Sequence, residues 1–323
     1  MLLDHPAIIS IFLGDELQEL LENIGKINTN IPDEGTIELG AYNFPKIHKD
    51  ISDRNRTSPF AFTGNKFEYR MPGSSASPST PTFIINTIVA DVLREYADIL
   101  EKVEDKSKIK KEIVKLVKDR YAKHKRIIFN GNGYDEAWIK EAQKRGLKNL
   151  KNTVEALPTY IKEETIELFE RNRVLSRAEL NSIFVVYTER YNKQLNIETA
   201  TAIRMARNEI YPAVMKHIGN IANSVNSIIS ALGTEGESMV TGDKNHLKKV
   251  LNAKIHLRTS LAELENDYTN AINIKDEYER AKFYNDKISE RLFHLKEWAD
   301  VLELMCEKNI WPIPVYEDLL FKL

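Results

Sequence analysis

Cys306 is the only cysteine in 323 residues. One thiol cannot build an intrachain disulfide framework or a multi-cysteine metal site. Basic charge is not in surplus either: 46 Lys and Arg stand against 48 Asp and Glu, a formal net charge of -2. That balance argues against a dedicated nucleic-acid or anionic-membrane surface. Glycine (13) and proline (11) are scarce, which excludes collagen-like or low-complexity character and disfavours a turn-rich β sandwich. No apolar run approaches the ~20 residues that span a bilayer; the run Ala7–Leu13 stops at Gly14-Asp15. The N-terminus has no basic region and no small-residue cleavage site, so a cytoplasmic location is the expectation. HExxH, GxSxG and a phosphate loop with a trailing Lys-Ser/Thr are all missing.

What is present is unevenly distributed. Asn28–Pro81 holds six of the 11 prolines, a density no long helix accepts, so strands and loops are predicted there. Thr36–Leu39 reads as extended. Phe60-Ala61-Phe62 and Lys66–Met71 flank Thr63-Gly64-Asn65, the pattern of a β hairpin. From Thr82 onward the chain reads as helical. Phe83–Val103 is apolar on more than one face and is expected to be deeply buried. Lys106–His124 follows, then a helix stopped by Gly146, then Lys162–Arg173. Ser176–Leu195 opens on a Ser176/Glu179 capping box. Ile197–Leu232 is interrupted at Pro212, where a kink is expected. Gly233–Gly242 is the best linker candidate. His246–Asp267 and Lys275–Lys308 carry apolar stripes suited to antiparallel packing. The tail is too apolar to be free, and Trp311 and Phe321 are expected to anchor it. The seven histidines and Cys306 read as surface or packing residues. The fold class is therefore mainly α, a small β-hairpin element followed by a long-helix antiparallel bundle. Length allows one large domain or two ordinary ones.

One element carries candidate chemistry. In Lys66–Met71, Phe67, Tyr69 and Met71 share one strand face, while Lys66, Glu68 and Arg70 share the other. Basic residues around one carboxylate, with Arg54 and Arg56 on the incoming segment, can line a phosphate and metal site. The same alternation is also that of an ordinary solvated strand, and the pattern leaves both readings open.

The block Asn55-Arg56-Thr57-Ser58-Pro59-Phe60-Ala61-Phe62 with Thr63-Gly64-Asn65-Lys66-Phe67-Glu68-Tyr69-Arg70 resembles the arginine-rich block of glutamine synthetases, most closely the large bacterial type III class. Pro6–Gly14, Gly73-Ser74-Ser75, Asn86–Asp91, Phe129–Tyr134, Gly146–Leu150 and the Trp311–Phe321 tail agree, so the resemblance spans nearly the whole chain. It covers about the C-terminal half of such an enzyme. The family's β-grasp domain, most of its metal-binding carboxylates and its ligand histidine have no counterpart in these residues. Leu3 falls where the family's flap glutamate is expected.

The resemblance implies an ATP-dependent glutamate–ammonia ligase that works through a γ-glutamyl phosphate. It implies Mg²⁺ or Mn²⁺ as cofactor, ATP, glutamate and ammonia as ligands, and a homo-oligomer of stacked hexameric rings, with no nucleic-acid or membrane partner. It places Arg56 on the transferred phosphoryl group, Glu68 on a metal, Arg70 at the glutamate or phosphoryl side, and Lys66 near ATP. Ala61 stands where shorter classes carry another nucleotide-contacting arginine. Residues 1–158 would be the C-terminal part of the catalytic domain and 159–323 a helical C-terminal domain. A chain with this much of the enzyme missing is expected to be inactive alone. The alternative is a non-catalytic helical interaction or regulatory piece derived from the family.

Overall fold

Proline density and strand alternation together place the β structure near the start of the chain. The computed structural model describes residues 8–24, 58–73 and 76–320, with only the backbone of 36–37, 47–48 and 316–317. Arg54, Arg56, the flap position Leu3 and the tail residue Phe321 lie outside the described residues. The chain divides into two compact units, Met1–Leu180 and Asn181–Leu323.

In the first unit, β1 (Ile11–Phe12) runs parallel to β4 (Phe60–Phe62), and β4 pairs antiparallel with β5 (Phe67–Tyr69). The expected hairpin forms in the register Phe60↔Tyr69, Ala61↔Glu68, Phe62↔Phe67. Gly64 turns it at φ 92, a conformation glycine adopts without steric cost. A separate antiparallel pair joins β2 (Thr36–Ile37) to β3 (Ile47–His48). Helix α1 (Asp15–Glu22) follows Gly14. The remaining helices of this unit are α2 (Ser79–Leu100), α3 (Ile109–His124), α4 (Glu136–Lys144), α5 (Thr153–Ala156) and α6 (Glu163–Arg171). Asp135 caps α4 by accepting from the Ala137 N–H at 2.9 Å, and Gly146 ends that segment at φ 70.

Helix α2 departs from expectation. Val89 is 50% and Leu93 59% exposed, and Ile88 and Val92 are exposed beside them. Among its described side chains only Thr87 is buried. An apolar helix face is written in the sequence, but what covers it is not, and here the other described elements leave it open. The same helix is anchored at Asp91. Its carboxylate accepts from Arg171 at 2.8 and 2.6 Å, from Arg94 at 2.8 Å and from the Asn172 amide at 2.8 Å. The Arg171 guanidinium, followed by Asn172, holds the Asp91 carboxyl well below the usual carboxylate range.

The second unit is a bundle. Helix α7 (Arg177–Met205) opens on the predicted capping box: the Ser176 N–H donates to Glu179 Oε2 at 2.8 Å, and the Glu179 N–H to Ser176 Oγ at 3.3 Å. There is no break at Leu195. The helix runs on through a π turn, Ala206–Ile210, into α8 (Tyr211–Leu232). The Tyr211 N–H reaches back five residues to the Ala206 carbonyl. The widened turn ends two residues before Pro212, which has no N–H to give, so the interruption expected there is a π bulge in a helix that runs on.

The Gly233–Gly242 segment is not a loop. Gly233, at φ 61, separates α8 from the short helix α9 (Thr234–Met239), and α10 (Thr241–Asn273) begins two residues later. Val240 and Gly236 are buried in this corner. A Cβ at Gly236 would come 2.8 Å from the Ile228 carbonyl oxygen and 3.1 Å from Ile229 Cα. Gly236→Ala is therefore expected to destabilise the second unit by about 1–3 kcal/mol, read as a lowered thermal midpoint. An unchanged midpoint would show that the corner is loose.

Helix α10 packs antiparallel to α8 and to the segment α11 (Glu277–Phe283), π turn (Tyr284–Ile288) and α12 (Ser289–Glu303). Arg207 pairs with Glu265, and Arg291 with Glu263 and Asp267. His256 stacks on Trp298 with ring centroids 4.2 Å apart. The core holds Val214, Val250, Leu257, Leu264, Ile288 and Leu302. Trp311 joins it, with Ile313 and Val315 against it, so the tail docks at its aromatic anchor. The helix α13 (Tyr316–Leu320) follows. Cys306 packs against the core, and burial raises its thiol pKa to about 11. His217 is buried too, 3.8 Å from Glu307. Among the described residues no helix is long and apolar enough to cross a membrane. The mainly-α architecture with a small sheet is as expected.

Candidate functional site

The two faces of β5 have different chemistry, and the pairing register decides which face meets what. Phe67 and Tyr69 lie with the β4 aromatics: Phe60 stacks on Phe67 at 5.4 Å, and Phe62 meets Phe67 at 5.3 Å. Phe60 also approaches Tyr69 at 6.2 Å. On the other face Ala61 is fully buried opposite Glu68. The structure brings three of the four predicted site residues together there. Glu68 is 3.3 Å from Lys66 Nζ and 3.2 Å from Arg70 Nη2. Arg70 also donates through Nε at 3.3 Å and is the most enclosed of the three. The fourth, Arg56, lies outside the described residues.

Hydrogen bonds from Lys66 first, then from Arg70, hold the Glu68 carboxyl below its ordinary value. The carboxylate therefore stays charged to lower pH than a free glutamate, and the pairing is lost as pH falls through the lowered value. Such a cluster presents two cations around one anion, the charge pattern that stabilises phosphoryl oxygens. A resident divalent cation is another matter. Mg²⁺ needs several oxygen ligands in octahedral geometry. Glu68 is one carboxylate already tied to both neighbours, and no group of three ligand-type side chains that could hold a metal exists among the described residues. The described residues by themselves do not fit that ion.

Behind the aromatic face lies a cavity of about 600 Å³, lined among others by Ile11, Phe67, Tyr69, Ile85, Val89 and Ile128. Tyr121 stands at its wall and donates to Glu22 Oε1 at 3.0 Å; burial, with that bond, pushes its phenol up to about 12.

One organising residue escaped the sequence reading. Asn130 Oδ1 accepts from the Leu13 and Gly14 N–H groups, both at 3.1 Å, and its amide donates to Gln18 Oε1 at 2.9 Å. It ties the exit of β1 to a loop more than a hundred residues away, alongside the Phe129 N–H to Ile11 carbonyl bond at 3.0 Å. Phe129 stacks on Trp138 at 3.8 Å. Gly131 sits under the Phe129 ring, where a Cβ would come within 2.6 Å. The sequence marks this position only as an Asn-Gly-Asn-Gly run, a turn pattern, inside the Phe129–Tyr134 segment of the resemblance, and neither gives Asn130 this role.

Residues 112–228 match the family described as glutamine synthetase C-terminal domain. Over 319 residues the chain is 37% identical to a type-3 glutamine synthetase of Dictyostelium discoideum, a match that takes in 98% of this chain and 43% of that one. It is 32% identical over 325 residues to a glutamine synthetase of Bacteroides fragilis, covering 98% and 44%. It is 31% identical over 328 residues to one of Butyrivibrio fibrisolvens, covering 98% and 45%. The chain thus spans somewhat under half the length of these curated relatives. The charged face of β5 is carried by a chain that, over nearly its whole length, is similar to part of the glutamine synthetases.

Proposed function

We propose that this chain is the C-terminal part of a glutamate–ammonia ligase. In that reaction ATP phosphorylates the γ-carboxylate of glutamate, and ammonia displaces phosphate to give glutamine. The observation that carries the reading is the Lys66–Glu68–Arg70 cluster, assembled on one strand face in a chain related to glutamine synthetases over nearly its whole length. Both steps gather negative charge on phosphoryl oxygens, and a fixed guanidinium neutralises that charge without reorganising. Arg70 is the strand's guanidinium and takes the glutamate or phosphoryl side. Lys66, more exposed, takes the nucleotide side, and Arg56 the transferred group. Glu68 would offer one carboxylate to a divalent cation, which would neutralise phosphoryl charge there. ATP and glutamate are the substrates, and the working enzyme is an oligomer. Residues 1–158 are the catalytic portion in this reading, and 159–323 the helical one.

Among the described residues Glu68 is the one carboxylate of the cluster and no set of metal ligands gathers around it, so these 323 residues are expected not to turn over alone. The purified chain, assayed for γ-glutamyl transfer with Mn²⁺, is expected to give no rate above the no-enzyme control. Robust turnover abolished by Glu68→Ala would refute the inactivity. The ligase reading itself fails if the chain, co-expressed with the part of the Dictyostelium enzyme outside the match, assembles with it and still forms no γ-glutamyl product.

A further inference from the structure

Helix α3 and the short turns flanking it hold an unbalanced charge. Residues 106–126 contain ten Lys and Arg against Glu112 and Asp119, in a chain whose overall charge is -2. By the helical period Lys111, Lys115, Lys118 and Ala122 fall along one face of α3, and Lys125 continues it. All five are exposed, while Ile109, Leu116, Val117 and Arg120 lie on the other side and are half-buried. The nearby acids are engaged away from that face or at its ends. Arg120 pairs with Glu95, and Lys108 with Asp105. Glu22 accepts from the Tyr121 hydroxyl and lies near Lys125. Lys115 meets Glu112 only at 3.9 Å, and Lys111 and Lys118 have no ion pair among the described residues. Like charges three and four residues apart cost helix stability, whereas alternating signs would keep the same face soluble and add to it. Solvation alone therefore does not call for a ridge of one sign.

We infer that the ridge of Lys111, Lys115 and Lys118 docks an acidic helix of a partner protein, one whose carboxylates recur at three- and four-residue spacing. The three lysines stand at i, i+4 and i+7, a rise of about 10 Å. Carboxylates at the same spacing on a helix laid alongside meet them in register. Other polyanions fit the ridge less well. It carries no aromatic side chain on which a base would stack. Its one apolar side chain, Ala122, is too small to anchor it in a bilayer interface. The residues outside 106–126 are net negative, so a long polyanion is repelled once it leaves the ridge, while a short acidic helix stays within a Debye length of it. Nor is the ridge an unfinished core. Burying several ammonium groups in packed chain is costly, so it is a surface whatever chain lies beyond these residues. The inference stands apart from the ligase reading.

The probe is a fluorescein-labelled, alanine-based helical peptide of about 20 residues, with glutamates at three- and four-residue spacing on one face. A scrambled peptide of the same composition spreads its glutamates round the helix. Fluorescence anisotropy with the purified chain is expected to show the patterned peptide bound about tenfold more tightly than the scrambled one, and more weakly as salt rises. Lys111→Gln, Lys115→Gln and Lys118→Gln together are expected to weaken binding about tenfold or more. Their thermal midpoint should equal or exceed the parent's, because glutamine is as good a helix former and the repulsion is gone. Lys118→Gln alone, a milder change, is expected to weaken binding about threefold, and decides the matter if the triple variant fails to fold. Lys216→Gln, Lys248→Gln and Lys249→Gln, at exposed positions of the second unit, remove the same charge and are expected to change nothing. The assignment is overturned by equal affinity for the two peptides, by an equal loss in the second-unit variant, or by no loss in the ridge variants. It is also overturned if a single-stranded RNA oligonucleotide or a phosphatidylserine vesicle binds more tightly than the patterned peptide. Self-association of the chain that the ridge variant abolishes would make a second copy the occupant, and would overturn it too.

Discussion

Trp311→Ala is expected to destabilise the second unit by about 3–5 kcal/mol, the cost of removing a buried large aromatic from a packed core. Trp311 is 8% exposed and joins the bundle core, with Ile313 and Val315 packed on the same surface. For a unit of this size the loss corresponds to a melting-point fall on the order of 10 °C. A second substitution separates packing from hydrogen bonding. The indole Nε1 is buried and has no hydrogen-bond partner among the described residues. A buried donor without an acceptor costs stability. Trp311→Phe keeps most of the apolar area and removes that donor, so it is expected to fall within about 1.5 kcal/mol of the parent. Thermal melts of both variants decide the matter. If Trp311→Ala melts with the parent, the tail does not hold the bundle. If Trp311→Phe loses as much as alanine, the indole nitrogen is satisfied after all.

The second large effect concerns chemistry. In the ligase proposed above, once assembled, Arg70→Ala is expected to lower turnover by about 10²–10³-fold, the usual cost of removing one preorganised donor from developing charge. Arg70→Lys is expected to recover only part of it, because an ammonium point charge cannot reproduce a planar fork on carboxylate or phosphoryl oxygens. Arg70→Ala also releases Glu68 from one of its two cations, whereas Arg70→Lys keeps a charge there. Glu68→Gln separates the contributions: if Glu68 is the metal ligand proposed above, a neutral amide replaces its anionic carboxylate, so the metal concentration for half-maximal rate is expected to rise. Steady-state rates over a metal titration read all three variants. Unchanged turnover in Arg70→Ala, or an unchanged metal requirement in Glu68→Gln, would remove those residues from the site.

Periodicity and local chemistry are properties of neighbouring residues, and these the sequence determined by itself. The alternation in Lys66–Met71 put Lys66, Glu68 and Arg70 on one face because strand side chains alternate, and the pairs at 3.3 and 3.2 Å follow from that. The Ser176/Glu179 box closed as written because its partners are three residues apart. The apolar tail pointed to Trp311 as an anchor. Tertiary structure decided what depends on distant partners. The apolar stripe of α2 was legible, but its exposure was not, because periodicity names an apolar face and never its cover. The Gly233–Gly242 corner reads as a polar linker, yet Gly236 lies against α8 so closely that only glycine fits. Asn130 looks like a turn residue, and its role appears only when β1 comes to it from more than a hundred residues away. Long-range pairing is chosen by packing and burial over the whole unit, which no local pattern encodes.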